Sequence, residues 1–141
     1  MKRRIVLLVG ICMATLGAAA IAVDGKSPAR VQMDGFLAAF NSGDRGKIEA
    51  FGRAHMPPDF MRKEIIDQTM GMIETSGGYD VVDVTESSPH ALTGHVRSRR
   101  TKYIEVLQVA VDDAAPERII NIGFLTPEPS ATAERTEVVR P

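Results

Sequence analysis

The spacing of apolar residues changes once along this chain, at Gly77-Gly78. Before the two glycines, apolar residues recur every three or four positions, which is the period of an amphipathic helix. After them, apolar and polar residues alternate, which is typical of half-buried strands. A helical half followed by a strand half predicts an α+β domain in which helices cover one face of a sheet.

Three helices are predicted before the glycine pair. The first carries apolar residues from Val31 to Phe40 and stops at Gly43, which suits a left-handed cap. Asp44 can cap the second helix, which Pro57-Pro58 ends. Asp59 is the predicted cap of the third helix. The methionines near this helix are predicted to be flexible core filling; they are Met56, Met61, Met70 and Met72.

The strand half predicts an antiparallel meander, because its connections are short and rich in turn residues. The predicted strands span residues 79–86, 91–99, 103–111 and 118–125. Side-chain parity places Val96 opposite Val106, and Val106 opposite Phe124, since a one-residue slip would turn each row to the other face. The helix-covered face is then predicted to hold Leu92, Val96, Ile104, Val106, Ala110, Ile120, Ile122 and Phe124.

The first 22 residues have the three parts of a secretory signal peptide. Lys2 to Arg4 are positive, Ile5 to Leu16 is apolar, and Ala20-Ile21-Ala22 supplies the small residues of a cleavage site. We therefore expect an exported protein, periplasmic or secreted. An uncleaved anchor is the alternative, because Ile5 to Ala22 reaches the lower length limit for crossing a bilayer.

The remaining chain is predicted to hold a linker at residues 23–30, one domain at residues 31–127 and a disordered tail at residues 128–141. Loss of the leader lowers Lys plus Arg from 17 to 14 while Asp plus Glu stays at 18, so the net charge becomes −4. That acidity argues against a nucleic-acid partner. Cys12, the only cysteine, lies in the leader, so no disulfide is expected.

Several short segments resemble a known family. The run from Phe36 to Asp44 resembles the first helix and turn of NTF2-like (SnoaL-like) domains. Gly77-Gly78, Glu86 to Pro89 and Ala115 to Gly123 resemble the subgroup found ahead of secreted serine hydrolases, which are β-lactamase-like or tail-specific-protease-like. The resemblance implies an NTF2-like cone, with three helices packed on a curved sheet of at least four strands. It rests on turn and packing residues, so hydrolase activity is not carried over.

The sequence predicts no catalytic residues, no metal and no cofactor. It contains neither a G-x-S-x-G elbow nor an S-x-x-K motif. His90 and His95 lack the spacing of a preformed metal site. No Asp or Glu falls firmly on the covered face in the predicted register, so a buried general base is not expected.

Two candidate sites remain. Gln108 would face Gly94 inside the cone and line a pocket, or it would be a core glutamine paired with backbone or water. A basic hairpin would contact an anion or an acidic partner, or it would be solvated, with Arg97 paired to Glu105 and Arg99 stacked on Tyr103. The hairpin residues are Arg97, Arg99, Arg100, Lys102 and Tyr103.

These observations favour an exported, non-catalytic NTF2-like domain that binds a partner protein or a small apolar ligand, with no membrane contact after cleavage. A small enzyme of isomerase or dehydratase type that uses the cone pocket is the alternative. An accessory subunit of a serine hydrolase and a structural homodimer also stay open.

Overall fold

The computed structural model of the protein describes residues 25–125, so the predicted leader and tail lie outside the described residues. The helical half consists of α1 (Pro28–Asn41), α2 (Arg45–His55), a short 3₁₀ helix (Pro58–Met61) and α3 (Lys63–Ser76). The antiparallel sheet, in the order β1-β2-β3-β4, consists of β1 (Tyr79–Ser88), β2 (Ala91–Ser98), β3 (Ile104–Val111) and β4 (Ile119–Leu125). The α+β architecture and the meander are confirmed.

Local capping explains most helix ends. Ser27 Oγ accepts a hydrogen bond from Arg30 N at 3.2 Å, and α1 begins at Pro28, whose missing N–H costs nothing in a first turn. The prediction of a linker through Arg30 is therefore wrong by one helical turn. Asp44 Oδ1 accepts from Lys47 N at 3.0 Å, which confirms it as the cap of α2. Gly43 has a φ of 66°, as a left-handed cap requires.

The chain between α2 and α3 differs from the prediction. Asp59 does not cap α3; it lies inside the 3₁₀ helix, and α3 begins at Lys63 without a side-chain cap. The reason is that Pro58 starts a separate tight turn, closed when Arg62 N donates to Asp59 O. This extra turn places Met61 against α2, where a methyl group on Gly52 would lie only 2.2 Å from Met61 Sδ.

The sheet register is one residue away from the prediction on both sides of β3. Gly94 lies opposite Leu107, and Leu107 lies opposite Phe124. The odd-numbered residues of β3 consequently face the helices. Both parities of β3 are apolar, so its own pattern could not choose between them. A register shift after Ala110 lets β4 bury Ile119 as well as turn Ile122 towards the core.

One core lies between α1 and the sheet. From α1 it contains Ala29, Met33, Phe36, Leu37 and Phe40; from the sheet it contains Tyr79, Leu92, Val96, Leu107, Val109, Val111 and Ile119. Leu92, Val96, Ile122 and Phe124 lie on the covered face as predicted. Ile104, Val106 and Ala110 face the open side instead. Ile120 is 56% exposed because it is the extra residue at the shift in β4.

Candidate functional site

A cavity of about 260 Å³ lies between the helices and β4. Its walls come from all three α-helices, the 3₁₀ helix and β4, so the site depends on how these elements meet. The lining residues of the helical half are Phe36, Ala39, Phe40, Ile48, Phe51, Gly52, Met56, Phe60, Met61, Ile65, Ile66, Gln68, Thr69 and Met72. Those of β4 are Ile122, Gly123 and Phe124.

The side chains that line the cavity are mostly apolar. None of the residues that line the cavity has an ionisable side chain. Thr69 is one of two polar side chains, and its hydroxyl donates to Ile65 O at 2.8 Å, so the donor is already used. Gln68 is exposed at the rim. A charged group placed inside would lose hydration without meeting an ionisable side chain, so the site selects against charged ligands.

One wall is aromatic. The ring of Phe36 lies 5.7 Å from that of Phe40 and 6.2 Å from that of Phe51, between ring centroids. The ring of Phe124 lies 5.8 Å from Phe40 and 4.9 Å from Tyr79. These spacings are within the range of favourable aromatic pairs, so this wall has a defined shape.

A second group of lining residues is adaptable. It consists of Met56, Met61 and Met72 together with Phe60, and all are half-buried. Methionine side chains are unbranched and flexible, so they can follow the outline of different apolar molecules. The sequence predicts that these methionines fill the core. Their position around a cavity is visible only in the tertiary structure.

A carboxylate lies beside a buried tyrosine on the covered face of the sheet, contrary to the sequence prediction. The Tyr79 hydroxyl donates a hydrogen bond to Glu105 Oε2. Burial, together with the hydrogen bond and the charge of Glu105, raises the pKa of Tyr79 well above its usual value. The one-residue register error hid this pair, since it assigned Glu105 to the open face. Neither residue lines the cavity, although Tyr79 contacts Phe124, which does.

The predicted pocket residues are not brought together. Gln108 is exposed on the open face, opposite Thr93 and Gly123, so its prediction as a covered residue is wrong. Gly94 is buried on the other face, where a methyl group would lie 3.1 Å from Met33 Sδ. Neither residue lines the cavity.

The basic hairpin contributes to a structural junction. Arg99 Nη2 lies 2.8 Å from Asp80 Oδ1, and Arg100 donates to the carbonyl of Glu74 at the end of α3. The predicted pair of Arg97 with Glu105 is wrong, because Arg97 lies opposite Asp80 and Ile104. Tyr103 is 75% exposed, and Lys102 has a φ of 67°, which suits a tight turn.

The three histidines are distributed over the surface. His55 Nδ1 lies 2.9 Å from Glu117 O, His90 Nδ1 lies 3.2 Å from Asp113, and His95 Nδ1 lies 2.5 Å from Asp83. Among residues 25–125, no group of three potential metal-ligating side chains is assembled. Within the same range, each helix falls short of the length and apolarity that a bilayer crossing requires.

Comparison with protein-family models, curated proteins and solved structures found no match. The NTF2-like resemblance therefore stays a hypothesis from the sequence. The class that the structure itself defines is an α+β domain with an apolar cavity between its helical layer and one edge of its sheet.

Proposed function

We propose that this domain binds a small, uncharged apolar molecule in the cavity between the helices and β4. The observation that carries the proposal is the lining: aromatic and methionine side chains converge on one space without an ionisable group. Natural ligand sites share this predominance of apolar walls. Adaptable methionine side chains together with an aromatic wall suit a family of related shapes rather than one rigid molecule.

The volume limits the ligand. An apolar cavity of roughly 150 Å³ is enough for benzene. The present cavity, at about 260 Å³, is larger than that but below the range of roughly 300–1,000 Å³ typical of drug-sized ligands. We therefore expect a ligand with roughly ten carbon atoms, such as a two-ring aromatic or a medium-length aliphatic chain.

The proposal agrees with the NTF2-like resemblance, which we keep as a hypothesis for the fold family. Three helices that precede a four-stranded antiparallel meander support it. The leader sequence supports export, so we propose that binding takes place outside the cytoplasm. Intact-mass measurement of the exported protein tests this step: a chain beginning near Val23 is expected, and a mass that includes the leader would mean an anchor.

A small enzyme is the second candidate, because a carboxylate beside a tyrosine on the covered face is a feature expected of a catalytic cone. Glu105 and Tyr79 form this pair. Their position outside the cavity lining argues for a structural role, since a general base must reach its substrate. The binding proposal is therefore preferred.

The binding test uses methyl NMR of methionine. With ¹³C in the methionine methyl groups, naphthalene and 1-octanol serve as probes of two shapes. We expect both probes to shift the signals of Met56, Met61 and Met72, which line the cavity, and to leave Met33 in the main core nearly unchanged. The absence of any shift up to the solubility limit of both probes would contradict the proposal.

A matched pair of variants on α3 locates the binding. Thr69 lines the cavity, and Thr75 is exposed, yet both hydroxyls donate to the carbonyl four residues earlier. Thr69→Met should fill the cavity and weaken probe binding roughly tenfold or more, which corresponds to at least 1.4 kcal/mol. Thr75→Met should bind as the wild type does. Equal binding by both variants would place the probe elsewhere.

A further inference from the structure

The hydrogen bonds at the ends of β3 determine which backbone groups of β4 point towards β3 and which point off the edge of the sheet. Ser98 N donates to Tyr103 O, and Val111 N donates to His90 O, so the odd-numbered residues of β3 bond to β2. Hydrogen-bonded and non-hydrogen-bonded pairs alternate in an antiparallel ladder, so the even-numbered residues bond to β4. Asp112 N, which donates to Arg118 O, follows the same pattern.

Ile122 and Phe124 lie opposite odd-numbered residues, Val109 and Leu107. Their own N–H and C=O groups therefore point away from β3, off the edge of the sheet. Their side chains also line the cavity. Among residues 25–125, these backbone donors and acceptors have no strand partner, and the same two residues also form part of an apolar wall.

The two edge strands of the sheet differ in how they are protected against pairing with another strand. The β1 edge carries Asp80, Asp83 and Glu86 and two register irregularities, and the outward backbone groups of Tyr79 are bonded by Asn41. Charges, irregularities and covering groups are the usual protections of an edge strand against pairing. From Ile119 to Leu125, β4 contains no charge and no proline, and Leu125 is 48% exposed.

We propose that the edge of β4 is a dimerisation edge, and that its occupant is β4 of a second copy of this chain. An antiparallel arrangement about a two-fold axis at Ile122 brings Ile122 opposite Ile122 of the second copy, and Phe124 opposite its Ile120. The paired strand has no charge to desolvate, and its facing side chains are apolar except for Asn121, which lies opposite Gly123 of the second copy, so the strand is complementary to itself.

Other occupants fit less well. The chain after Leu125 could return along β4, but its apolar residues before Val138 are only alanines and prolines, which would leave the large side chains of β4 uncovered. A charged peptide would meet an edge without counter-charges. A second β4 also lies next to Ile122 and Phe124, so it would close the cavity on its sheet side. The proposal rests on the strand edge and does not depend on ligand binding.

The test is the oligomeric state of the exported chain by sedimentation equilibrium. Ile120→Lys places a charge on the proposed edge at a residue that is 56% exposed, and Val82→Lys is the matched control on β1 at 46% exposure. We expect a dimer for the wild type and for Val82→Lys. The dimer of Ile120→Lys should be weaker by roughly tenfold or more, because lysine on an edge strand opposes pairing.

Thermal melting verifies that both variants fold. If Ile120→Lys does not fold, Leu125→Lys, which is also at an exposed residue of β4, is used in its place. A wild type that stays monomeric at about 1 mM would overturn the proposal, since weaker self-association is negligible. Equal weakening by Val82→Lys would also overturn it. A monomeric full chain that dimerises only after deletion of residues 126–141 would show that the tail, and not a second copy, occupies this edge.

Discussion

The side-chain amide of Asn41 supplies both backbone hydrogen bonds that the edge position of Tyr79 lacks. Asn41 Nδ2 donates to Tyr79 O at 2.8 Å, and Asn41 Oδ1 accepts from Tyr79 N at 2.8 Å. Since Asn41 is the last residue of α1 and Tyr79 is the first of β1, this contact attaches the helical layer to the sheet. It also covers the start of an edge that would otherwise be open.

Removal of this contact should be costly. Asn41→Ala leaves the backbone N–H and C=O of buried Tyr79 without partners. We therefore expect the free energy of unfolding to fall by about 2–4 kcal/mol. Asn41→Asp keeps the acceptor and loses the donor, so it should fall between the wild type and the alanine variant. Urea denaturation measures both. A loss below about 0.5 kcal/mol for Asn41→Ala would show that water replaces the amide.

Two glycines near this junction should respond in opposite directions. Gly78 has a φ of 98°, and a methyl group there would lie 2.8 Å from Asn41 Oδ1. Gly78→Ala combines backbone strain with a broken amide contact, so a loss of about 2–4 kcal/mol is expected. Gly71 lies in α3 with open space around it. Gly71→Ala should stabilise the protein by about 0.5–1 kcal/mol, and denaturation of the two variants in parallel tests the contrast.

The hydrogen bond from Tyr79 to Glu105 should appear in the pH dependence of stability. Burial and Glu105 raise the pKa of Tyr79, so the folded state keeps the phenol proton when the unfolded state, at about pH 10, begins to lose it. This stabilisation is complete below the unfolded pKa and declines as the pH rises above it.

Tyr79→Phe removes the group that titrates. It should cost about 1–3 kcal/mol near neutral pH, through loss of the hydrogen bond to a carboxylate. Its unfolding free energy should then decline less than that of the wild type between about pH 9 and about pH 11. If the unfolding free energies of the two proteins decline equally with pH, Tyr79 is not the group responsible for the decline.

The register of β3 can be tested with adjacent residues. Leu107 is fully buried, so Leu107→Ala should cost about 2–5 kcal/mol by leaving a cavity. Gln108 is exposed, so Gln108→Ala should stay within about 0.5 kcal/mol of the wild type. The register predicted from the sequence gives the reverse order of effects, so one denaturation series separates the two.

Several local features of this protein could be predicted from its sequence, although the predicted cap at Asp59 was wrong. The change of period at Gly77-Gly78 separated the helices from the strands, and Gly43 and Asp44 marked the end of one helix and the start of the next. These predictions hold because they depend on backbone freedom at a glycine and on a side chain that caps its own helix, which are interactions between residues close in the chain.

Only the tertiary structure decided the register of the sheet and the site. In β3, Ile104 and Val106 are as apolar as Leu107 and Val109, so no local preference selects the buried parity. The packing of α1 selects it, and the shift after Ala110 then allows β4 to bury Ile119 and turn Ile122 to the same side. The cavity arises where elements distant in sequence fail to fill the space between them, and residue spacing along one element carries no information about that space.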